Sequence, residues 1–244
     1  MLTYAIFQDR PRELLAATGL THDECARVLP AFAAAYAVLS PPDKPWAGKM
    51  RQRQSGGGAK GIVSQMEDKR LFILVSQKTN PLQTLHGLPC DLSQPQTHSW
   101  MHHLLPVLQH ALATLGVAPE RDASRVATSP LALEGAPEGV LDGPERRRQR
   151  PTDAARHKGL YSGKKKTYTD KNLGLVNAHT TTVVYLGPTV AGTTHDKQAA
   201  DAAQMCYPTN ATLGKDTGLQ GYEPAGVLTR QPKKTARSGV ERGG

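Results

Sequence analysis

The side chains best suited to chemistry are two aspartates in the second half of the chain. Asp142 closes the short apolar run Val140-Leu141, and Asp216 closes Leu213-Gly214-Lys215. A glycine-containing turn follows each, with Gly143 directly after the first and Gly218 two residues after the second. Carboxylates at adjacent strand ends can share a hard divalent ion, because Mg²⁺ is held by one or two carboxylates while water and phosphate oxygens complete its shell. Two Mg²⁺ or Mn²⁺ ions about 4 Å apart in such a place can activate a water or a 3′-hydroxyl and stabilise the leaving oxygen of a phosphodiester. A second reading stands beside this one: aspartate is a common turn starter, and each could do no more than that. Glu145 is either an outer member of the same site or a partner for Arg146, Arg147 and Arg148. His195-Asp196 is read as a helix N-cap in preference to a catalytic dyad, and His102-His103 as the surface of a helix.

Charge distribution supplies a substrate class. The 244 residues carry a net +9, and the excess is concentrated. Residues 142–172 hold 10 Lys and Arg against 4 Asp and Glu, and residues 229–244 hold 5 against 1. A clustered basic stripe is the footprint of a protein that neutralises phosphates and releases their counterions. A solvated surface run is the alternative for such a stripe taken alone. The length suffices for one large or two small domains. No apolar run approaches the roughly 18–20 residues of a bilayer span. Met1 to Arg12 lacks the basic start, apolar middle and cleavage site of a signal peptide. Cys25, Cys90 and Cys206 stand far apart without metal spacing, as reduced thiols of a cytosolic protein would. A membrane protein, a secreted disulfide scaffold and a zinc finger are thereby disfavoured.

The elements that must position these groups fall into two kinds. The first half is helical. Arg12–Thr18 stops at Gly19, and Thr21 with Glu24 forms a capping-box signature ahead of Cys25, Val28, Leu29, Phe32, Tyr36 and Leu39 at helical spacing. Pro30 is expected to kink or split that helix. Met66 to Val75 predicts a helix of three to four turns ended by Asn80-Pro81, followed by a short element over Leu82–Leu88. Ser93 then caps a helix running from Gln94 to about Leu115, with a kink expected at Pro106. This is the layout of a helix-turn-helix unit, whose last helix would present Gln94, Gln96, Thr97 and Ser99 to a major groove. A plain helical bundle has the same signature, and Trp100 is read as core. After Gly139 the period changes. Lys166–Val176 and Thr180–Leu186 read as strands, Gly187-Pro188 as a turn, Asp196 as the start of a helix, and Ala211–Lys215 as a last short strand, giving an α/β domain. The expected organisation is N-terminal helices over 1–43, a basic glycine-rich linker over 44–61, the helix-turn-helix region over 62–118, a connection over 119–137 and the α/β domain over 138–244.

Together these motifs resemble bacterial insertion-sequence transposases of the DDE type, in the group related to the Harbinger elements. The resemblance runs nearly end to end. Arg51-Gln52-Arg53 through Gly56-Gly57-Gly58 is similar to that family's basic linker, and Glu67 to Leu74 to its helix-turn-helix entry. His103-Leu104-Leu105-Pro106-Val107-Leu108 is similar to the end of its recognition helix. Leu141-Asp142-Gly143-Pro144-Glu145-Arg146 resembles its first-aspartate motif, Tyr161 to Lys166 its basic hairpin, His195-Asp196-Lys197 its His-Asp-Lys turn, and Asp216 to Tyr222 its second-aspartate motif.

The resemblance implies a ribonuclease H-like endonuclease domain in which Asp142 and Asp216 are the catalytic, metal-binding carboxylates for Mg²⁺ or Mn²⁺. It implies that Arg146, Arg147, Arg148, Lys164, Lys165 and Lys166 contact the backbone of double-stranded DNA at transposon terminal inverted repeats. It also implies a bacterial cytoplasmic, nucleoid-associated protein that binds a full-length transposase or itself. The family's third carboxylate, on a later helix, has no counterpart before Gly244; Glu241 is a poor substitute, only 25 positions after Asp216. The chain is therefore expected to be truncated and inactive alone. The alternatives to a working transposase are an inactive end-binding fragment or repressor, and a decayed or frameshifted product. Pro144, Pro89, Pro95 and Lys215 depart from the family pattern.

Overall fold

The computed structural model describes residues 2–40, 63–134, 137–154 and 157–232. Two compact units divide the chain, 1–118 and 119–244. The expected linker over 44–61 lies outside the described residues.

The first unit is helical: α1 (Pro11–Thr18), α2 (His22–Leu39), α3 (Met66–Thr79), α4 (Gln83–Gly87) and α5 (Gln94–Thr114). Local signals set several ends. α1 starts on Pro11 and stops at Gly19, whose φ of 77° is left-handed. α2 opens on the capping box, in which the Thr21 amide donates to Glu24 Oε2 at 2.8 Å. α3 stops at Asn80, also left-handed, just before Pro81. Neither Pro30 nor Pro106 splits its helix; α2 and α5 run on through them. The physical reason is burial on both sides of each proline. Val28, Phe32 and Ala35 of α2 share one core with Phe72 and Ile73 of α3 and Leu104, Val107 and Ala111 of α5. Tertiary packing, more than propensity, sustains such helices.

The second unit is a mixed sheet with short helices. Its strands are β1 (Glu138–Asp142), β2 (Glu145–Arg147), β3 (Tyr161–Ser162), β4 (Thr167–Asn177), β5 (Val183–Ala191), β6 (Thr212–Lys215) and β7 (Leu228–Arg230). The helices are the single turns α6 (Pro130–Leu133) and α7 (His157–Leu160), and α8 (Asp196–Ala203). β4 is the hub, antiparallel to β1, β2, β3 and β5. On the far side of β1 the direction changes, for β6 pairs parallel with β1 and β7 parallel with β6. Leu141, Leu173, Leu175 and Leu213 point to one face and are buried with Ala200 of α8, Val126 and Leu219. Val140, Val183 and Leu228 lie on the other face and remain 45, 40 and 61% exposed.

Four expectations need correction. Residues 119–137 are part of the second unit and not a connection. The Glu120 amide donates to the Val184 carbonyl at 2.8 Å, and Val126 and Leu131 enter the sheet's core. Gly187-Pro188 is not a turn either, because β5 continues to Ala191. A register shift between the Asn172 and Gly174 pairs absorbs the proline, as bulges do. β2 is an addition to the expected strands, being only three polar residues whose partners lie 22 to 26 positions away. Lastly, β6 is not the last strand, since β7 follows.

Among the described residues no helix is long and apolar enough to cross a membrane. Leu213 is 1% exposed at the centre of the inward face. Leu213→Ala should lower the stability of the second unit by about 2–5 kcal/mol. Hydrogen exchange of the β4 amides in native buffer will read that loss; a change below about 1 kcal/mol would show that this face is not the core.

Candidate functional site

The sheet brings Asp142 and Asp216 together. Val140 pairs with Gly214 and Leu141 with Lys215 in parallel register, so the next residues, Asp142 and Asp216, end neighbouring strands side by side. Adjacent strands lie about 4.8 Å apart. Strand alternation sends Leu141 and Lys215 into the core, and both aspartates to the exposed face. Each carboxylate spends an oxygen on its own turn. Asp142 Oδ1 accepts from the Gly143 amide at 2.7 Å, and Asp216 Oδ1 from the Gly218 amide at 2.8 Å. The turn-starting and ligand readings are therefore compatible, because each carboxylate has a second oxygen. Such a pair suits a hard cation that keeps several waters. Among the described residues no three His, Cys, Asp or Glu side chains converge to hold a metal ion by themselves.

Beneath the pair lies a charged layer that sequence reasoning missed. Lys171 of β4 is 6% exposed at its side chain, and its ammonium reaches Asp196 Oδ1 at 2.7 Å and Glu145 Oε1 at 3.9 Å. It also donates to the Thr194 carbonyl at 2.8 Å. Asp196 Oδ1 is out of contact with solvent and makes no aligned hydrogen bond, so charge and proximity alone join it to Lys171. Asp196 opens α8, with His195 as the N-cap that the sequence suggested. The available signal was alternation: Lys171 falls on the inward set Thr169, Leu173, Leu175 of β4.

Glu145 belongs to this layer, and is not primarily a partner for the arginines beside it. It accepts from Thr169 Oγ1 at 3.1 Å. Burial alone would raise its pKa; hydrogen bonds from Ser162 and Thr169 and the charges of Lys171 and Lys164 outweigh that and hold it below the ordinary glutamate value.

The basic residues divide. Lys164, Lys165 and Lys166 occupy the exposed tip between β3 and β4, with Lys166 left-handed at φ 53°. Arg147 is exposed on β2. Arg148 pairs with Asp170 at 2.8 Å, and Arg146 donates to Asn172 Oδ1. Those two are partly engaged in holding β2 to β4.

In the helical unit, Gln94, Gln96 and Ser99 are exposed at the start of α5. Thr97 is not available to a groove: it is fully buried, donating to the Ser93 carbonyl at 3.0 Å and filling the space over Gly87. Gln96 Oε1 accepts from the Ser93 amide at 2.9 Å, and Gln94 donates to Gln83 of α4. Trp100 packs against the core as expected, with Lys69 6.0 Å from its ring centre. His102 is exposed, but His103 turns inward to Ser40 Oγ at 2.7 Å, and burial lowers its pKa.

No family model matches the chain, and neither a curated protein nor a solved structure is significantly similar to it.

The depressed pKa of Glu145 has a sign that can be checked. A carboxylate more acidic in the folded state adds stability above its ordinary value of 4.5, and that contribution is lost as pH falls through the lowered folded value. Thermal melts between pH 6 and about pH 3 should show the wild type losing stability more steeply than Glu145→Gln. Parallel curves would refute the assignment.

Proposed function

We propose that this protein is a DNA-binding protein of the DDE transposase type, acting on transposon ends through a helix-turn-helix in its first unit and a ribonuclease H-like second unit. The observation that carries the reading is the parallel pairing of β1 with β6, which sets Asp142 beside Asp216. The strand plan supports it as well: an antiparallel β1–β4–β5 meander, then parallel strands on the free side of β1, is the plan of ribonuclease H-like enzymes. In the helical unit the succession α3, α4, α5 with a polar α5 start supports a helix-turn-helix.

The pair Asp142 and Asp216 would hold Mg²⁺ or Mn²⁺. When bound, such an ion polarises a phosphodiester and acidifies a water or 3′-hydroxyl. The residues of the chain supply the rest. Lys164, Lys165, Lys166 and Arg147 neutralise backbone phosphates and position the duplex, while Gln94, Gln96 and Ser99 face base edges or phosphates. Double-stranded DNA at terminal inverted repeats is the partner, with self-association or a full-length transposase as further partners. A second reading, an end-binding protein that does not cleave, is favoured by the exposed Lys164, Lys165 and Lys166, which can hold phosphates with or without a bound metal.

Two measurements test this. Replacing Lys164, Lys165 and Lys166 together by Ala should flatten the log–log salt dependence of DNA affinity by up to about 2.7, three phosphate contacts at about 0.9 each. An unchanged slope removes the hairpin from the interface. In a nicking assay with Mn²⁺ on end-containing DNA, the chain alone should cleave negligibly, since positioning and charge stabilisation provide most of the rate in phosphoryl transfer. Nicking that Asp142→Ala abolishes would instead show that two carboxylates suffice and would retire the non-cleaving reading.

A further inference from the structure

We propose that Lys171 and Asp196 are positioning residues: Asp196 is a wedge between the two aspartate turns, and Lys171 is the anchor that keeps it there. The inference rests on reading Asp142 and Asp216 as a metal-binding pair, and adds what holds the pair in place.

The glycines carry the argument. Gly143 follows Asp142, and Gly218 lies two residues past Asp216. Neither has a positive φ, so neither is required by backbone conformation. What excludes a side chain at both is the same carboxylate. A Cβ on Gly143 would collide with Asp196 Oδ1, and one on Gly218 would lie 2.5 Å from Asp196 Oδ2. The two oxygens of Asp196 thus bear on the two turns at once, and those turns donate the amides that fix Asp142 Oδ1 and Asp216 Oδ1. An unanchored carboxylate would swing away from such contacts and from two neighbouring carboxylates. Lys171 prevents this. Its buried ammonium, fixed from below by the Thr194 carbonyl, lies 2.7 Å from Asp196 Oδ1. Removing it would leave Asp196, whose Oδ1 is out of contact with solvent, beside like charges without a counter-charge.

Charge and geometry predict opposite signs for Lys171→Met. Deleting a cation near two carboxylates should, on Coulombic grounds alone, tighten the binding of a divalent ion. Loss of the anchor should weaken it. Mn²⁺ binding to the full chain, followed by electron paramagnetic resonance of the free ion, separates the two. Lys171→Met and Asp196→Ala should each weaken Mn²⁺ about 10–100-fold, the usual effect of losing a group that orients ligands. Asp196→Asn, which keeps the wedge's shape but gives up the charge that joins it to Lys171, should fall between the wild type and Asp196→Ala. Unchanged or tighter binding in Lys171→Met overturns the proposal, because Asp196, freed of its cation, would then act by its charge as a ligand.

If wild-type binding of Mn²⁺ is indifferent to Asp142→Asn and Asp216→Asn, the metal reading fails, and the wedge is judged by amide resonances instead. Asp196→Ala and Lys171→Met should each displace both the Gly143 and Gly218 amide signals. Movement of only one, or neither, overturns the wedge. The partly exposed Asp196 variants keep the test open should Lys171→Met fail to fold.

Discussion

The parallel ladder between β1 and β6 is the constraint on which the second unit depends. An antiparallel pairing would carry the two aspartates to opposite ends of the sheet, and a parallel one carries them to the same end. Parallel neighbours require a long crossover. Here it consists of β2 to β5 and α8, which occupy the chain between Asp142 and Asp216. The apolar partners of the ladder anchor its register. Leu141 and Leu213 are buried at 0 and 1%, and a slip of one residue would expose them while turning the aspartates inward.

Charge is handled in two ways in this unit. Lys171 and Lys215 are buried on the inward face, and each has carboxylate and carbonyl partners: Asp196 and Thr194 for the first, Glu223 and Tyr222 for the second. Taking an ammonium out of water costs several kcal/mol, and such partners are needed to offset it. The hairpin lysines 164–166 remain in solvent, where their charge is available to a polyanion at little desolvation cost. Position relative to the sheet, not residue type, separates structural lysines from those that can meet phosphate.

Similar selection operates on the helical unit. Ser93 and Gln96 cap α5, so Gln96 is divided between its helix and solvent, while Thr97, one position on, is turned into the space above Gly87. The adjacent polar residues Gln96 and Thr97 thus take different roles because a helix rotates each by about 100° from the last.

Helix ends were largely legible in the sequence, because caps, prolines and glycines act on their immediate neighbours: Thr21 with Glu24, Gly19, Asn80-Pro81 and Ser93 all do what local chemistry dictates. The apolar rhythm around Leu141 and Leu213 likewise marked Asp142 and Asp216 as strand ends. What local chemistry could not determine was whatever depends on a distant partner. β2 exists because β4 offers it a ladder, Pro188 is carried by a bulge that only strand pairing defines, and Glu120 and Pro130–Leu133 are held by contacts with β5. Lys171, Asp196 and Glu145 each look like ordinary surface charges in one dimension. Tertiary structure decided that they form one charged layer around the buried Lys171, because long-range packing alone determines which charges lose water and must find one another.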